Sequence, residues 1–130
     1  MFKNETGPFY IIGVHKAIKR FKSILKHEIA HGLFNTDADY RTEVQSALSK
    51  FETAPIKVEL SSKAAYHDHV LEDECHAYSC FFDGQLDVSI PEELTKQLKT
   101  IYKKYVELKN VHFPASIREL CADCIKNDVN

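Results

Sequence analysis

The sequence predicts a small α+β domain, mostly α, with one short strand near its start and a series of amphipathic helices after it. Three observations lead there. The chain has 130 residues, 44% of them hydrophobic and 28% charged, which is the composition of one soluble globular domain spanning 1–130. Apolar residues recur at three- and four-residue spacings through most of its length, the period of a helix with one buried face. Only Phe9-Tyr10-Ile11-Ile12-Gly13-Val14, bounded by Gly7-Pro8, has the β-branched and aromatic density of a strand. A lone strand makes no sheet, so this one needs a partner strand later in the chain, in another subunit or beyond this sequence.

The first helix runs from about Lys16 to Phe34. At 100° per residue, Ile18, Phe21, Leu25 and Ile29 form one apolar stripe, while Lys16, Lys19, Lys22 and Lys26 occupy a solvated sector. His27 and His31 point away from the stripe, with Glu28 between them and it. Residues i and i+4 share a helix face, so both imidazoles of His27-Glu28-Ile29-Ala30-His31 can bind one metal ion with the carboxylate beside them. Two His and a third protein ligand leave a tetrahedral zinc an open position for water, whose proton the Glu can take.

Gly32 predicts that this helix closes soon afterwards, and Thr36 or Asp37 can cap a second, with Tyr40, Val44, Leu48 and Phe51 inward. The alternating Ile56-Lys57-Val58-Glu59-Leu60, after Pro55, reads as a weak strand. A third helix is expected from Ala64 or Ala65 to Phe82, stopped by Gly84, with Val70, Leu71, Ala77, Tyr78 and Phe81 as its apolar face. Glu74 falls in the middle of that face, whereas Glu72, Asp73 and His76 fall on the polar side. A carboxylate isolated among apolar side chains is costly, and a divalent cation removes the cost. Glu74 is therefore the candidate third ligand; the competing reading is a half-buried helix whose Glu74 bends to solvent. His67 lies on nearly the same face two turns earlier and reads as a surface histidine; His69 has no such placement.

Gln85-Leu86-Asp87-Val88-Ser89-Ile90 alternates as a short strand or extended link. Pro91, with Glu92 and Glu93 in the first turn, opens a helix whose Leu94, Leu98, Ile101, Tyr105 and Leu108 form a regular stripe. That stripe fits packing on the core and also permits a homodimer. After a turn at Phe113-Pro114, a last helix is expected over Ser116 to Lys126, with Ile117, Leu120 and Cys124 inward. Cys121 and Cys124 have C-x-x-C spacing, but Cys75 and Cys80 stand five apart on a helix, a poor chelating arrangement, so all four read as free thiols. With no secretory signal, that cysteine usage points to the cytoplasm. A formal charge of −2 argues against nucleic-acid binding through bulk charge, and no apolar run approaches a membrane span.

His27-Glu28-x-x-His31, 42 intervening residues, and then Glu74-x-x-Ala77 on a second helix resemble the gluzincin branch of the zincin metallopeptidases, in a minimal or truncated form. The resemblance covers residues 8–84, the expected metal-site core, and leaves 85–130 as a C-terminal helical part. It implies a zincin-like fold with a reduced N-terminal sheet, the strand Phe9 to Val14 bordering a cleft that binds extended peptide. It also implies one Zn2+ held by His27, His31 and Glu74, Glu28 as general base, and hydrolysis of peptide bonds in a peptide or protein substrate. Where such families often place Asp after E-x-x-A to orient a ligand His, this chain has Tyr78. The acceptor for the second ring N–H of each ligand stays open, and so does the choice of a stabilising donor among Tyr10, Tyr40 and Tyr78. Two other readings use the same residues: a non-catalytic module whose zinc ties two helices together, and a metal-free helical protein that dimerises through the 94–108 stripe.

Overall fold

The computed structural model describes residues 7–8, 10–13 and 20–111, apart from the Asp83 side chain. Helix α1 (Phe21–Thr36) buries Phe21, Leu25, Ala30, Leu33 and Phe34. It runs past Gly32 because that glycine is a packing contact: a Cβ there would sit 3.3 Å from Tyr10 Cδ1, so the Tyr10 ring lies directly on the helix backbone. Asp37 then starts α2 (Ala38–Leu48), its Oδ1 accepting the backbone N–H groups of Asp39 and Tyr40 at 3.0 Å each. Lys109 Nζ, 2.9 Å from Asp37 Oδ2, ties the far end of the chain to this cap.

Residues Ala54–Ala64 form α3 rather than the expected strand at 56–60. Ile56 and Leu60 fit a two-residue alternation and a helical i, i+4 pair equally well, and Val58 decides between them. A strand would turn it inward with its neighbours, yet it is 67% exposed while Ile56 and Leu60 are buried. Pro55 occupies the first turn, where its missing N–H costs nothing. Ala65, at φ 54°, adopts the left-handed conformation that ends α3, so the next helix does not begin at residue 64 or 65. A 3-10 turn at Asp68–Val70 leads instead into α4 (Leu71–Phe81). A second 3-10 turn at Asp83–Gln85 follows, and α5 (Glu92–Leu108) completes the described chain.

Helix α4 lies at the centre, packed against α1, α3 and α5 and touching α2, while α2 also packs on α1 and α5. The core gathers Tyr40, Val44, Leu48, Ile56, Leu60, Cys75, Ala77, Cys80, Leu94, Leu98 and Tyr105. Leu94 and Leu98 are completely buried, each contributing about 1.5–3 kcal/mol of hydrophobic stabilisation. The stripe on α5 thus packs largely within the chain, with Leu108 at its end left 69% exposed.

The α+β expectation is corrected: among the described residues there is no strand, and the reduced N-terminal sheet is absent. Residues 10–13 are irregular, with Ile11 65% exposed, because strand propensity is worthless without a second backbone to pair with. Among the described residues, neither candidate partner within the chain forms a strand. Residues 56–60 are helical, and the 85–90 stretch is held by a side chain, Glu59, whose carboxylate accepts the N–H groups of Asp87 and Val88 at 2.6 and 2.7 Å. Phe9, Val14 and the expected helix over Ser116 to Lys126, with Cys121 and Cys124, lie outside the described residues. No described helix is long and apolar enough to cross a membrane.

The Asp37 cap makes a stability prediction. Asp37→Ala should cost about 1 kcal/mol in denaturant unfolding at neutral pH. The Tyr40 N–H, aided by Lys109, holds the Asp37 carboxyl below its usual range. Its contribution is therefore full above the unfolded-state pKa of about 3.9 and lost as pH falls through the lower folded value. The gap between wild type and Asp37→Ala should close on that acid side.

Candidate metal centre

Helices α1 and α4 pack side by side, and His27, His31 and Glu74 meet where they do. His27 Nε2 is 3.0 Å from His31 Nε2, and His31 Nε2 is 3.5 Å from Glu74 Oε2. The three donor atoms all lie within 4.8 Å of one another. Bonds of about 2.0–2.1 Å to a tetrahedral zinc would put such donors roughly 3.3 Å apart, and the two short separations bracket that ideal. Both rings are buried, 5% and 6% exposed.

The environment of each donor suits a cation. His31 Nδ1 sits 2.8 Å from Asp73 Oδ1, which places the proton of the neutral ring on Nδ1 and leaves Nε2 a bare lone pair. Glu74 Oε2 is buried with no hydrogen-bond partner. Two acceptors thus face each other across 3.5 Å in a region of low dielectric, and a positive charge between them removes the conflict. The His27 ring is held between Phe82, stacked at 4.3 Å, and the edge of Tyr78 at 5.2 Å. Its Nδ1 feels the Ala77 carbonyl without forming a well-directed hydrogen bond.

Charge follows the same pattern. Burial, reinforced by His31, pushes the His27 pKa down to about 4, so that ring is neutral and ready to ligate at neutral pH. Burial also pulls on His31, but the Asp73 carboxylate outweighs it and raises that pKa above the usual value. Burial raises the pKa of Glu74. Burial acts the same way on Asp73, but its contacts with His31 and His76 prevail and hold it at about 2. Asp73 stays ionised throughout the neutral range.

A cleft of about 370 Å³ opens over the cluster and is lined also by Tyr10, Glu28, Asn35, Tyr66 and Val70. Glu28 therefore shares a solvent-accessible space with all three donor residues. Of the tyrosines expected near the motifs, Tyr10 reaches the cleft. Tyr78 packs against His27, and Tyr40 is buried in the core with its hydroxyl 2.8 Å from His76 Nε2. Tyr66, which periodicity does not single out, joins Tyr10 in the cleft and lies beside Glu74. His67 and His69 are exposed and stack on each other away from the cluster.

Two placements on α4 are corrected. Asp73 and His76, assigned to a polar face, point inward, and His76 is 0% exposed. A wheel sorts faces against one neighbour, whereas α4 has neighbours on several sides. Asp73 is the His31 acceptor that the sequence leaves unnamed, one residue before Glu74 rather than after the E-x-x-A pattern. Asn35, one helical turn beyond His31, supports it by donating from Nδ2 to Asp73 Oδ2 at 2.9 Å and to the His31 carbonyl at 2.8 Å. The i+4 spacing of Asn35 from His31 was the one sequence signal for this support.

Comparison with protein-family models, curated proteins and solved structures finds no match, so the gluzincin resemblance rests on the residues alone.

Metal-free protein should take up about one equivalent of zinc in a calorimetric titration. Glu74→Ala and His31→Ala should each weaken binding by more than the about 10–100-fold expected for loss of an outer hydrogen-bond partner. Ligation requires deprotonated imidazoles, and His31 holds its proton to a higher pH than an ordinary histidine. Affinity should therefore already be falling by pH of about 6.5. Equal affinity in wild type and Glu74→Ala would remove Glu74 from the ligand set.

Proposed function

We propose that this chain is a zinc-dependent hydrolase of peptide bonds, acting on peptide or protein substrates in the cytoplasm. One observation carries the reading: His27, His31 and Glu74 converge from two helices beneath a cleft that Glu28 also lines. A zinc ion held there would supply a Lewis acid for the scissile carbonyl and a water acidified towards neutral pH.

The chain's own residues do the rest. Glu28 accepts the proton of the attacking water and returns it to the leaving amine, the work of a general base placed beside its nucleophile. Asp73 keeps the His31 ring in the tautomer and orientation that present Nε2 to the cleft. Phe82 and Tyr78 shield His27 from water on its faces and edge, so it does not swing out of place. Tyr10 and Tyr66 bring phenol groups to the same space, where an O–H can donate to the oxygen that gains charge during attack. Tyr66 is kept protonated by burial and by the neighbouring Tyr78 and Glu74. The cytoplasmic placement draws on Cys75 and Cys80, buried and unpaired as thiols in a reducing compartment are.

A second reading, a zinc-tied module that binds without cutting, draws on residues 10–13, which border the cleft through Tyr10 yet form no paired edge for an extended substrate.

Glu28→Gln separates the two. Zinc-loaded wild type should cleave members of a mixed peptide library. The variant should lose that cleavage by at least about 100-fold while binding zinc as tightly as wild type. Intact peptides after prolonged incubation with the wild-type protein would leave the binding module as the function.

A further inference from the structure

We infer that His76 is a positioning residue for the metal centre, pinning Asp73 against His31 from inside the core and thereby setting the zinc affinity of a site it does not touch. The inference rests on the zinc reading above and extends it to residues outside the ligand set and outside the cleft.

His76 has no contact with solvent, and both of its ring nitrogens are engaged. Nδ1 lies 2.9 Å from the Asp73 backbone carbonyl, an oxygen that can only accept, so Nδ1 carries the proton. Nε2 is then the acceptor, and the Tyr40 hydroxyl donates to it at 2.8 Å. Phe34 stacks on the ring at 5.3 Å and Tyr40 meets it edge-on at 5.6 Å, so α1 and α2 fix its plane. Tyr40 in turn packs edge-on against Tyr105, whose hydroxyl donates to Glu43 Oε1 at 2.9 Å. The imidazole is thereby located by three helices besides its own.

What it locates is Asp73. The same Nδ1 stands 3.3 Å from Asp73 Oδ1, the oxygen that faces His31 Nδ1 at 2.8 Å. That oxygen sits between two imidazole N–H groups, and Asn35 holds the other. With Asn35 donating to Oδ2 and both imidazole Nδ1 atoms within 3.3 Å of Oδ1, the Asp73 carboxylate is confined between α1 and the His76 ring. A leucine at position 76 would need no hydrogen bond itself but would leave the buried Tyr40 hydroxyl without its acceptor. An imidazole there is accounted for by the orientation it imposes. In the triad of carboxylate, histidine and metal, loss of the orienting outer support typically lowers metal affinity about 10–100-fold.

The test uses the full chain as wild type, His76→Leu, His76→Asn and Tyr40→Phe. Zinc affinity is measured by chelator competition, the visible spectrum is recorded with Co2+ in place of zinc, and thermal unfolding is recorded without metal. His76→Leu should bind zinc about tenfold more weakly and shift the Co2+ bands, since a freed Asp73 lets the His31 ring rotate. His76→Asn can keep an N–H near the Asp73 carbonyl and should recover most of that affinity. Tyr40→Phe, which deletes one oxygen, should weaken binding by about threefold, below the loss for the full outer partner. A packing role alone would lower the metal-free unfolding temperature in the Leu and Asn variants alike and leave the affinity and Co2+ spectrum of folded protein unchanged; that result overturns the inference. Where His76→Leu does not fold, Tyr40→Phe decides, and a wild-type affinity and spectrum in that variant overturn it. Wild type that binds no zinc defeats the metal reading itself, and this inference with it. Wild type that binds tightly while His76→Leu binds equally well defeats this inference alone.

Discussion

The structure depends on a concentration of charge and lone pairs where α1 meets α4. Asp73, Glu74, His27 and His31 are brought together there, and Glu74 Oε2 and His31 Nε2 face each other 3.5 Å apart with no proton donor assigned between them. In a region of low dielectric such a meeting is unfavourable unless a cation or a shared proton occupies it. Helix α4 is the central helix of the fold, so the rest of the chain supplies the packing that holds this pair of helices in place. Stability from α2, α3 and α5 offsets the cost of a polar junction at α1 and α4, a distribution common where a site, rather than the core, dictates which residues are buried.

That division of labour explains the polar groups deep in the chain. Tyr40, His76 and Asp73 form a continuous path from α2 through the centre of α4 to His31. Tyr40 donates to His76 and His76 to the Asp73 carbonyl, so the deepest polar groups of this path are satisfied, the condition under which a buried polar network is tolerated. The cleft side differs: Tyr10, Glu28 and Tyr66 face water and lack such locking, as suits groups that meet a ligand. Rigid support behind the donors and looser groups in front of them is the arrangement expected of a metal site open on one side.

Local geometry was the legible part of the sequence. The pairing of His27 with His31 follows from one helical turn, and Glu74 declares itself as a carboxylate among apolar neighbours. The helices around Leu25, Val44 and Leu98 follow from their apolar period. Long-range matters were not legible. The run Phe9 to Val14 has strand propensity, but propensity does not supply a partner strand, and among the described residues, 10–13 pair with none. Ile56 and Leu60 satisfy two periods at once, so only the exposure of Val58 separates helix from strand. Asp73 and His76 were assigned to solvent because a helical wheel has one inside, whereas a central helix such as α4 is covered on several sides.

The most direct test is anomalous diffraction at the zinc absorption edge from crystals of the metal-loaded protein. A zinc site built as described gives a single strong peak within bonding distance, about 2.0–2.2 Å, of His27 Nε2, His31 Nε2 and a Glu74 carboxylate oxygen, with a further position open to the cleft. A peak lying elsewhere, or one bound by the two imidazoles while Glu74 points to solvent, would contradict it.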